Sequence, residues 1–246
     1  MSAAELEAAP QLAVDARGVR KVFGTGAIAY EALRGVDFSV AAGEFLMLVG
    51  PSGSGKTTLL SILGCVLTAT AGTVSLFGHR VTGRKDRELP AIRRALIGFV
   101  FQGNNLIGAL PALDNVRLVL ETRGYSRAEA TAEASELLER VGLGDKLWNR
   151  PAEMSGGQLQ RVAIARAVAG ASPLVLADEP TAALDAQTGL EATQLLLDVC
   201  RERGSTVVVV THDPRIFHLA DRIVRIEDGH IVSTADAPAD VPKGLV

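Results

Sequence analysis

Long apolar runs are missing from this 246-residue chain, and their absence excludes several classes of protein. No stretch of 18 or more residues is apolar, so the sequence predicts no transmembrane helix. The first residues, MSAAELEAAP, lack a basic start followed by an apolar stretch, so we expect no secretory signal. The hydrophobic fraction is nevertheless 48%. Apolarity of this kind without a membrane span favours buried parallel strands, a docking surface, or both.

The chain also has few cysteines and a small net charge. Cys65 and Cys200 each lie in an apolar context, and their spacing fits no metal pattern, so we expect two ordinary buried thiols. The formal net charge of −3 gives no reason to expect nucleic-acid binding. The cytosol is the simplest compartment for a chain with these properties.

Short β-branched apolar runs alternate with helical patterns along most of the chain. This alternation is typical of an α/β fold whose core is a mixed, largely parallel sheet with helices on its faces. In open α/β sheets, ligands bind outside the carboxyl ends of the strands. Four runs end there in a glycine loop or a polar residue: Phe45–Val49 before Gly50, Ile97–Phe101 before Gln102, Leu174–Ala177 before Asp178 and Glu179, and Thr206–Thr211 before His212.

The alternation is interrupted between residues 103 and 153. Glu129–Val141 has the pattern of an amphipathic helix with Leu137, Leu138 and Val141 on one face, and we find no convincing strand nearby. The segment therefore indicates an inserted helical subdomain. The predicted organisation is an α/β core at 13–102 and 154–232, a helical subdomain at 103–153, and flexible tails at 1–12 and 233–246.

A phosphate-binding pattern follows the first of the four runs. Glycines in such a loop let backbone N–H groups turn toward phosphate oxygens, and the helix that follows directs its N-terminus at the same anion. In this pattern Lys56 reaches the β- and γ-phosphates, Thr57 offers a hydroxyl to Mg²⁺, and Thr58 is placed for the α-phosphate. The residues that match G-x-x-x-x-G-K-[ST] are Gly50, Pro51, Ser52, Gly53, Ser54, Gly55, Lys56 and Thr57.

Carboxylates follow the third run. Adjacent residues at a strand end point in different directions, so Asp178 and Glu179 need not share a role. Asp178 is placed to hold Mg²⁺, and Glu179 to polarise the attacking water beyond the γ-phosphate. A solvated acidic turn is the alternative interpretation. Gln102 is placed to complete the Mg²⁺ shell or to sense the γ-phosphate, and His212 to contact that phosphate rather than serve a purely structural role.

A second anion site is predicted about a hundred residues further along. Met154–Gln158 reads MSGGQ before a helical run, with Ser155 as the expected N-cap and two glycines that expose backbone amides. This word resembles the LSGGQ signature of ABC (ATP-binding cassette) ATPases. The order of P-loop, Gln102, signature, carboxylates, AALD at Ala182–Asp185 and His212 is similar to that family over roughly residues 13–232.

The resemblance implies a P-loop ATPase with ATP and Mg²⁺ as its ligands. It implies that Phe23 stacks on adenine, with Tyr30 as the substitute, and that Asp185 belongs to the D-loop. In the family two cassettes pair head to tail, so each ATP lies between the P-loop of one chain and the signature of the other. The implied signature contacts with the partner's nucleotide come from Ser155, Gly156, Gly157 and Gln158.

The wording of several motifs is similar to the LolD-, MacB- and DevA-type cassettes, with PTAALD closest to the DevA-type glycolipid exporters. This implies a cytoplasmic subunit, peripheral to the inner membrane, that powers a separate integral-membrane permease exporting lipid, lipoprotein or drug-like cargo. Residues 103–120 are apolar, and we expect them to form the groove for a permease helix; packing inside the helical subdomain is the alternative. An FtsE-type ATPase, which signals across the membrane without moving cargo, remains open.

Overall fold

A computed structural model describes residues 11–236 of the chain. The expected tails at 1–12 and 233–246 lie mostly outside this range. Within it, Leu12 already begins a strand, and the boundary at 233 is wrong because the last strand continues to Asp236. The backbone there is paired, with Ser233 opposite Arg225 and Asp236 opposite Arg222, so it has the hydrogen bonds of a strand rather than those of a loose tail.

Ten strands form two sheets in the described part of the chain. The larger sheet has the order β10-β9-β3-β8-β7-β6, and all its strands are parallel except β10 at one edge. The smaller sheet has the order β2-β1-β4-β5 and is antiparallel. The strands are β1 Leu12–Phe23, β2 Tyr30–Ala41, β3 Phe45–Val49, β4 Ala71–Leu76, β5 His79–Arg80, β6 Ile97–Val100, β7 Leu174–Asp178, β8 Thr206–Val210, β9 Arg222–Glu227 and β10 His230–Asp236.

The sequence patterns located the central strands to within one residue at each end. The smaller antiparallel sheet is a feature that they did not predict. Its strands carry many half-buried or exposed polar residues, so they do not read as continuous apolar runs. The mixed, largely parallel core sheet itself is confirmed.

Six α-helices within residues 11–236 surround the sheets, and several short 3₁₀ helices lie between these elements. They are α1 Lys56–Leu63, α2 Leu89–Leu96, α3 Ala112–Thr122, α4 Arg127–Arg140, α5 Gly156–Val168 and α6 Ala186–Glu202. The predicted amphipathic helix at 129–141 corresponds to α4, which begins two residues earlier because Ser126 and Glu129 form a reciprocal capping box. Between residues 103 and 153 the structure contains helices and turns and no strand.

Two apolar cores lie on opposite faces of the larger sheet. Because side chains alternate along a strand, Phe45 and Met47 of β3 face one core while Leu46 and Leu48 face the other. The first core is covered by α3, α4, α5 and α6, and the second by α1 and the antiparallel sheet. Every residue of β3 and β8 is buried, which explains why these strands read as continuous apolar runs.

The two cysteines are buried free thiols, as expected. Burial raises the pKa of Cys65 to about 11 and that of Cys200 to about 12, so both remain protonated at neutral pH. None of the helices in residues 11–236 combines the length and the apolarity needed to cross a membrane.

Candidate functional site

The P-loop is the first component of the site, and it leaves the carboxyl end of β3 in a conformation that requires glycine. Gly50 has φ +149°, and a Cβ placed on it would lie 2.0 Å from the carbonyl oxygen of Ile226. Gly55 has φ +104° and occupies the N-cap of α1, where a Cβ would lie 2.6 Å from the carbonyl oxygen of Ala32. The loop is therefore packed closely against neighbouring backbone, with its amide groups ahead of the first turn of α1.

Lys56 lies inside this loop. Its side chain is buried, and Nζ donates to the carbonyl oxygens of Gly50 and Pro51, each at 2.7 Å. Desolvation lowers the pKa of Lys56, and the charges of Glu179 and Asp178 partly oppose that shift. The carbonyl oxygens that accept from Nζ are neutral, so the charge of the ammonium group remains available for a polyanion. The sequence pattern predicts this phosphate-binding role for Lys56.

A cavity of about 220 Å³ lies over the P-loop. Aromatic side chains line one end of it: Phe23 and Tyr30, which face each other across the β1–β2 pair, are 39% and 54% exposed. The hydroxyl of Tyr30 donates to the carbonyl oxygen of Gly53 at 3.3 Å. The structure thus brings both candidate adenine contacts to the cavity. Its other lining residues are Ala32, Ser52, Gly53, Ser54, Gly55, Lys56, Thr57, Thr58 and Glu179.

Asp178 is joined directly to the P-loop helix. Thr57 Oγ1 donates to Asp178 Oδ1 at 3.1 Å, although β8 separates β3 from β7 in the sheet. Desolvation raises the pKa of Asp178, against the hydrogen bond from Thr57. No group of three or more His, Cys, Asp or Glu side chains in residues 11–236 is suited to hold a metal. A hydroxyl and one carboxylate beside a phosphate cradle are instead the donor set of a Mg²⁺ ion that is partly coordinated by its nucleotide.

Glu179 turns away from its neighbour because of its backbone conformation. It has φ +45°, a left-handed conformation that is uncommon for a residue other than glycine, and its amide donates to Val210 O at 2.9 Å. Its carboxylate lines the cavity, and Oε1 lies 3.3 Å from Nδ1 of His212. The His212 side chain is 68% exposed, whereas that of Glu179 is 23% exposed. His212 is not among the residues that line the cavity over the P-loop. It lines a neighbouring cavity together with Gly50 and Pro51.

Gln102 lies at the same edge of the sheet but not in the cavity. It follows β6, which pairs with β7, and its side chain is exposed. It is absent from the residues that line the space over the P-loop. Its proximity to Asp178 in the sheet is consistent with the predicted metal or phosphate contact, which stays a prediction.

The MSGGQ segment forms a second, separate helix start. Ser155 caps α5: its Oγ accepts from Gln158 N at 3.4 Å, and Gln158 Oε1 accepts from Ser155 N at 2.9 Å. The predicted N-cap is confirmed. A Cβ on Gly157 would lie 2.7 Å from Thr188 Cγ2. The signature therefore packs against the start of α6, and none of its residues lines the cavity over the P-loop.

Asp185 occupies the N-cap of α6. Its Oδ1 accepts from the amides of Gln187 and Thr188 at 3.1 and 3.0 Å. The Thr188 side chain and then these amides lower the pKa of Asp185. Within the chain, then, Asp185 has a capping role that sequence reasoning had not assigned. The spacing D-A-Q-T before a helical pattern was the available signal.

Comparison with known proteins identifies the family. Residues 33–182, more than half of the chain, match the family model described as ABC transporter. The lipoprotein-releasing system ATP-binding protein LolD 2 of Caulobacter vibrioides is 46% identical over 87% of this chain and 94% of that protein. The macrolide export ATP-binding/permease protein MacB of Marinobacter nauticus is 41% identical over 96% of this chain. That match covers only 36% of the relative, so the chain spans about a third of its length.

A solved structure gives the same result. The dimeric, post-hydrolysis state of an ATP-binding cassette bound to ADP and Pi superposes with a TM-score of 0.84 at 42% identity, covering 91% of this chain and 98% of that one. The chain therefore belongs to the ABC transporter family and is an ATPase with the P-loop fold of its ATP-binding cassettes. The family-level resemblance is confirmed, and the narrower likeness to DevA-type exporters stays a prediction.

The two loop glycines Gly50 and Gly53 provide a matched test of the packed P-loop. Both have positive φ, but a Cβ on Gly53 meets nothing within 4 Å, whereas a Cβ on Gly50 clashes with Ile226 O. We expect Gly50→Ala to lower the free energy of unfolding by about 3 kcal/mol or more, and Gly53→Ala by only about 1 kcal/mol. Urea denaturation followed by circular dichroism measures both values; equal losses would contradict the described packing.

Asp178 provides a test of charge burial. Its folded pKa lies above the unfolded value, so ionisation disfavours the fold at neutral pH, and this penalty disappears as the pH falls below the ordinary value of 3.8. Asp178→Asn keeps an acceptor for Thr57 without the charge. Without nucleotide and metal, we expect this variant to unfold at a higher temperature than the wild type at pH 7.5, with a smaller difference toward pH 4.

Asp145→Asn is the control for this experiment, because the Asp145 side chain is 74% exposed. It should leave the unfolding temperature nearly unchanged across the same pH range. A lower unfolding temperature for Asp178→Asn at neutral pH would show that the buried carboxylate stabilises the nucleotide-free fold.

Proposed function

We propose that this ABC ATPase works as a head-to-tail pair of cassettes that powers a separate membrane permease at the cytoplasmic face of the inner membrane. One observation carries the proposal: no residue of the capped helix start at Ser155 lines the cavity that holds Lys56, so one chain holds two separate anion-binding halves. In two copies related by a two-fold axis, the signature helix start of each chain would lie against the P-loop cavity of the other chain. The solved relative in its ADP- and Pi-bound state is itself dimeric.

The catalytic roles follow from where each group lies. Lys56 and the P-loop amides would hold the phosphates of ATP, while Thr57 and Asp178 would hold Mg²⁺, which would neutralise charge on the transferring phosphoryl group. Gln102 would complete the Mg²⁺ shell or sense the γ-phosphate. Phe23 stacks on the adenine from the aromatic end of the cavity, where Tyr30 is already bonded to the P-loop.

Hydrolysis is assigned to Glu179 and His212. Glu179 accepts a proton from the attacking water, whose oxygen forms a bond to the γ-phosphorus as the bond to the β–γ bridging oxygen breaks, giving ADP and phosphate. His212 Nδ1 lies 3.3 Å from Glu179 Oε1. It orients that carboxylate and, when ATP is present, places a donor near the γ-phosphate. Desolvation around Glu179 and Lys56 strengthens these interactions.

Cargo export is the class of transport that the relatives support. LolD 2 is named as part of a lipoprotein-releasing system and MacB as a macrolide exporter. LolD 2, which the chain matches over 94% of its length, is named as an ATP-binding protein, and this supports our assignment of the chain to an export system with a membrane permease as its partner. A lipid, lipoprotein or drug-like molecule is the proposed cargo.

Residues 103–120 are the proposed permease-docking segment. The side chains of this segment that are exposed are the ones available to a permease. Asn115 is buried and its side chain accepts from Ile107 N and donates to the carbonyls of Ile107, Leu110 and Pro111. This network fixes the loop at 107–111 ahead of α3. The inward side of α3 is buried in the core, whereas Ile107 and Leu118 are 45% and 41% exposed. An apolar permease helix would contact these exposed side chains.

Glu179→Gln tests the catalytic and dimer assignments together. The amide cannot accept the proton, so we expect kcat to fall by about 10²-fold or more while ATP binding is retained. With hydrolysis blocked, ATP should convert the protein to a dimer in gel filtration. Adding Gly156→Asp should abolish that dimer, because it places a carboxylate against the partner's phosphate.

The second change is sterically mild within the chain, since a Cβ on Gly156 would lie 3.5 Å from Leu184 Cδ2 and 3.9 Å from Ala183 O, which are ordinary contact distances. The double variant should therefore still bind ATP as a monomer. Undiminished turnover in Glu179→Gln would exclude its role as base, and an ATP-dependent dimer that persists with Gly156→Asp would exclude the head-to-tail arrangement.

Ile107→Asp tests the docking segment. Leu106 packs against the core, so a charge there would also destabilise the fold, whereas Ile107 points largely to solvent. We expect an affinity-tagged chain with Ile107→Asp to lose its integral-membrane partner during purification from detergent-solubilised native membranes, with ATPase activity of the isolated subunit unchanged. Val66→Asp, which charges an exposed valine elsewhere, is the control and should retain the partner. Equal recovery with both variants would exclude this segment as the docking site.

A further inference from the structure

The turn that follows Gln102 has an unusual backbone. Asn104 and Asn105 both adopt left-handed conformations, with φ +58° and +48°. Asn104 N donates to Phe101 O at 3.0 Å, and Asn105 N donates to Gly103 O at 2.6 Å, so the chain reverses tightly after β6. Two consecutive non-glycine residues with positive φ persist only where surrounding contacts hold them.

Arg166 supplies those contacts. Its NH1 donates to Asn105 O and its NH2 to Asn104 O, each at 2.6 Å. The guanidinium is half-buried and its planar fork matches the two carbonyls. A lysine could not make both bonds from the same position with fixed geometry. The turn after Gln102 is therefore held by a side chain that lies 61 residues further along the chain.

The position of Arg166 connects two parts of the site. It lies in the last turn of α5, the helix that begins directly after Ser155. At 1.5 Å per residue, the eleven steps along the helix from Ser155 to Arg166 span about 16 Å. The signature is thus at one end of α5, and the turn that carries Gln102 is bonded to the other end.

We propose that Arg166 is a positioning residue for Gln102: its two hydrogen bonds to Asn104 and Asn105 fix the turn after β6 in the conformation that presents Gln102 to the metal and γ-phosphate, and tie that turn to the signature helix. This inference rests on the proposed function of Gln102. Arg166 touches neither nucleotide nor metal, and it acts only through the backbone of the turn.

The loop between Gln102 and α3, which begins the proposed docking segment, is held by two side chains. Asn115 fixes residues 107–111 on one side, and Arg166 fixes residues 104 and 105 on the other. The loop between Gln102 and α3 is therefore held by hydrogen bonds at both ends.

A double-mutant cycle between Arg166 and Gln102 tests the proposal in the full chain. If Arg166 acts through Gln102, Arg166→Ala should lower kcat at saturating MgATP by about tenfold in the wild type, but less than about twofold when Gln102 is already alanine. Binding of ATP in the absence of Mg²⁺, which uses the P-loop, should be unchanged by Arg166→Ala. A purely structural role would lower nucleotide affinity and kcat together.

Arg161→Ala is the matched control. Arg161 lies on the same helix and donates to Val141 O, but it does not contact the turn after β6. It should leave kcat within about twofold of the wild type. If Arg166→Ala does not fold, Arg166→Lys, which keeps the charge but not the fork, replaces it in the cycle, with an expected loss of about threefold.

The outcomes separate the two proposals. If Gln102→Ala alone leaves kcat unchanged, the role of Gln102 is wrong. If Gln102→Ala lowers kcat but the loss caused by Arg166→Ala is the same in both backgrounds, then Gln102 is required and the positioning role of Arg166 is wrong. A loss that disappears in the Gln102→Ala background supports both.

Discussion

The parallel pairing of β3, β8, β7 and β6 is the constraint on which the rest of the site depends. Parallel strands end at the same edge of a sheet, so the P-loop, His212, Asp178 with Glu179, and Gln102 emerge side by side although they are far apart in sequence. The buried apolar faces fix this register, because a slip of one residue would exchange the side chains that face the two cores. The position of each catalytic group is therefore a consequence of core packing.

The same packing buries two ionisable side chains, and burial disfavours their charged forms. Burial raises the pKa of Asp178 and lowers that of Lys56, so each group is destabilised in its charged form. Glu179 adds a left-handed backbone. Sites of this kind store a free-energy penalty that a bound polyanion and its cation would relieve, which links ligand binding to stability.

Sequence reasoning predicted the features that depend on local pattern. The central strands were recognisable because they are buried on both faces, and Ser155 was recognisable as an N-cap because the capping box lies within four residues. The antiparallel sheet was missed because its strands are half exposed, so their apolar residues do not form continuous runs. Arg166 was missed for a different reason: its partners are main-chain carbonyls, which no residue pattern records.

Hydrogen bonds from a side chain to main-chain carbonyls, such as those of Arg166, determine how the parts of the site move relative to one another. A residue motif places Gln102 and Ser155 in the site, but the bonds from Arg166 to the backbone of the turn determine whether they shift together. Because α5 is a rigid helix packed in the core, a change at one of its ends requires a change at the other. If the signature closes on a partner's nucleotide, the turn after β6 must either follow it or break two charge-assisted hydrogen bonds in a half-buried setting. Movement of the turn with the signature costs less, because it keeps both hydrogen bonds. The anchoring of the turn to α5 through Arg166 therefore favours coupling between docking and hydrolysis.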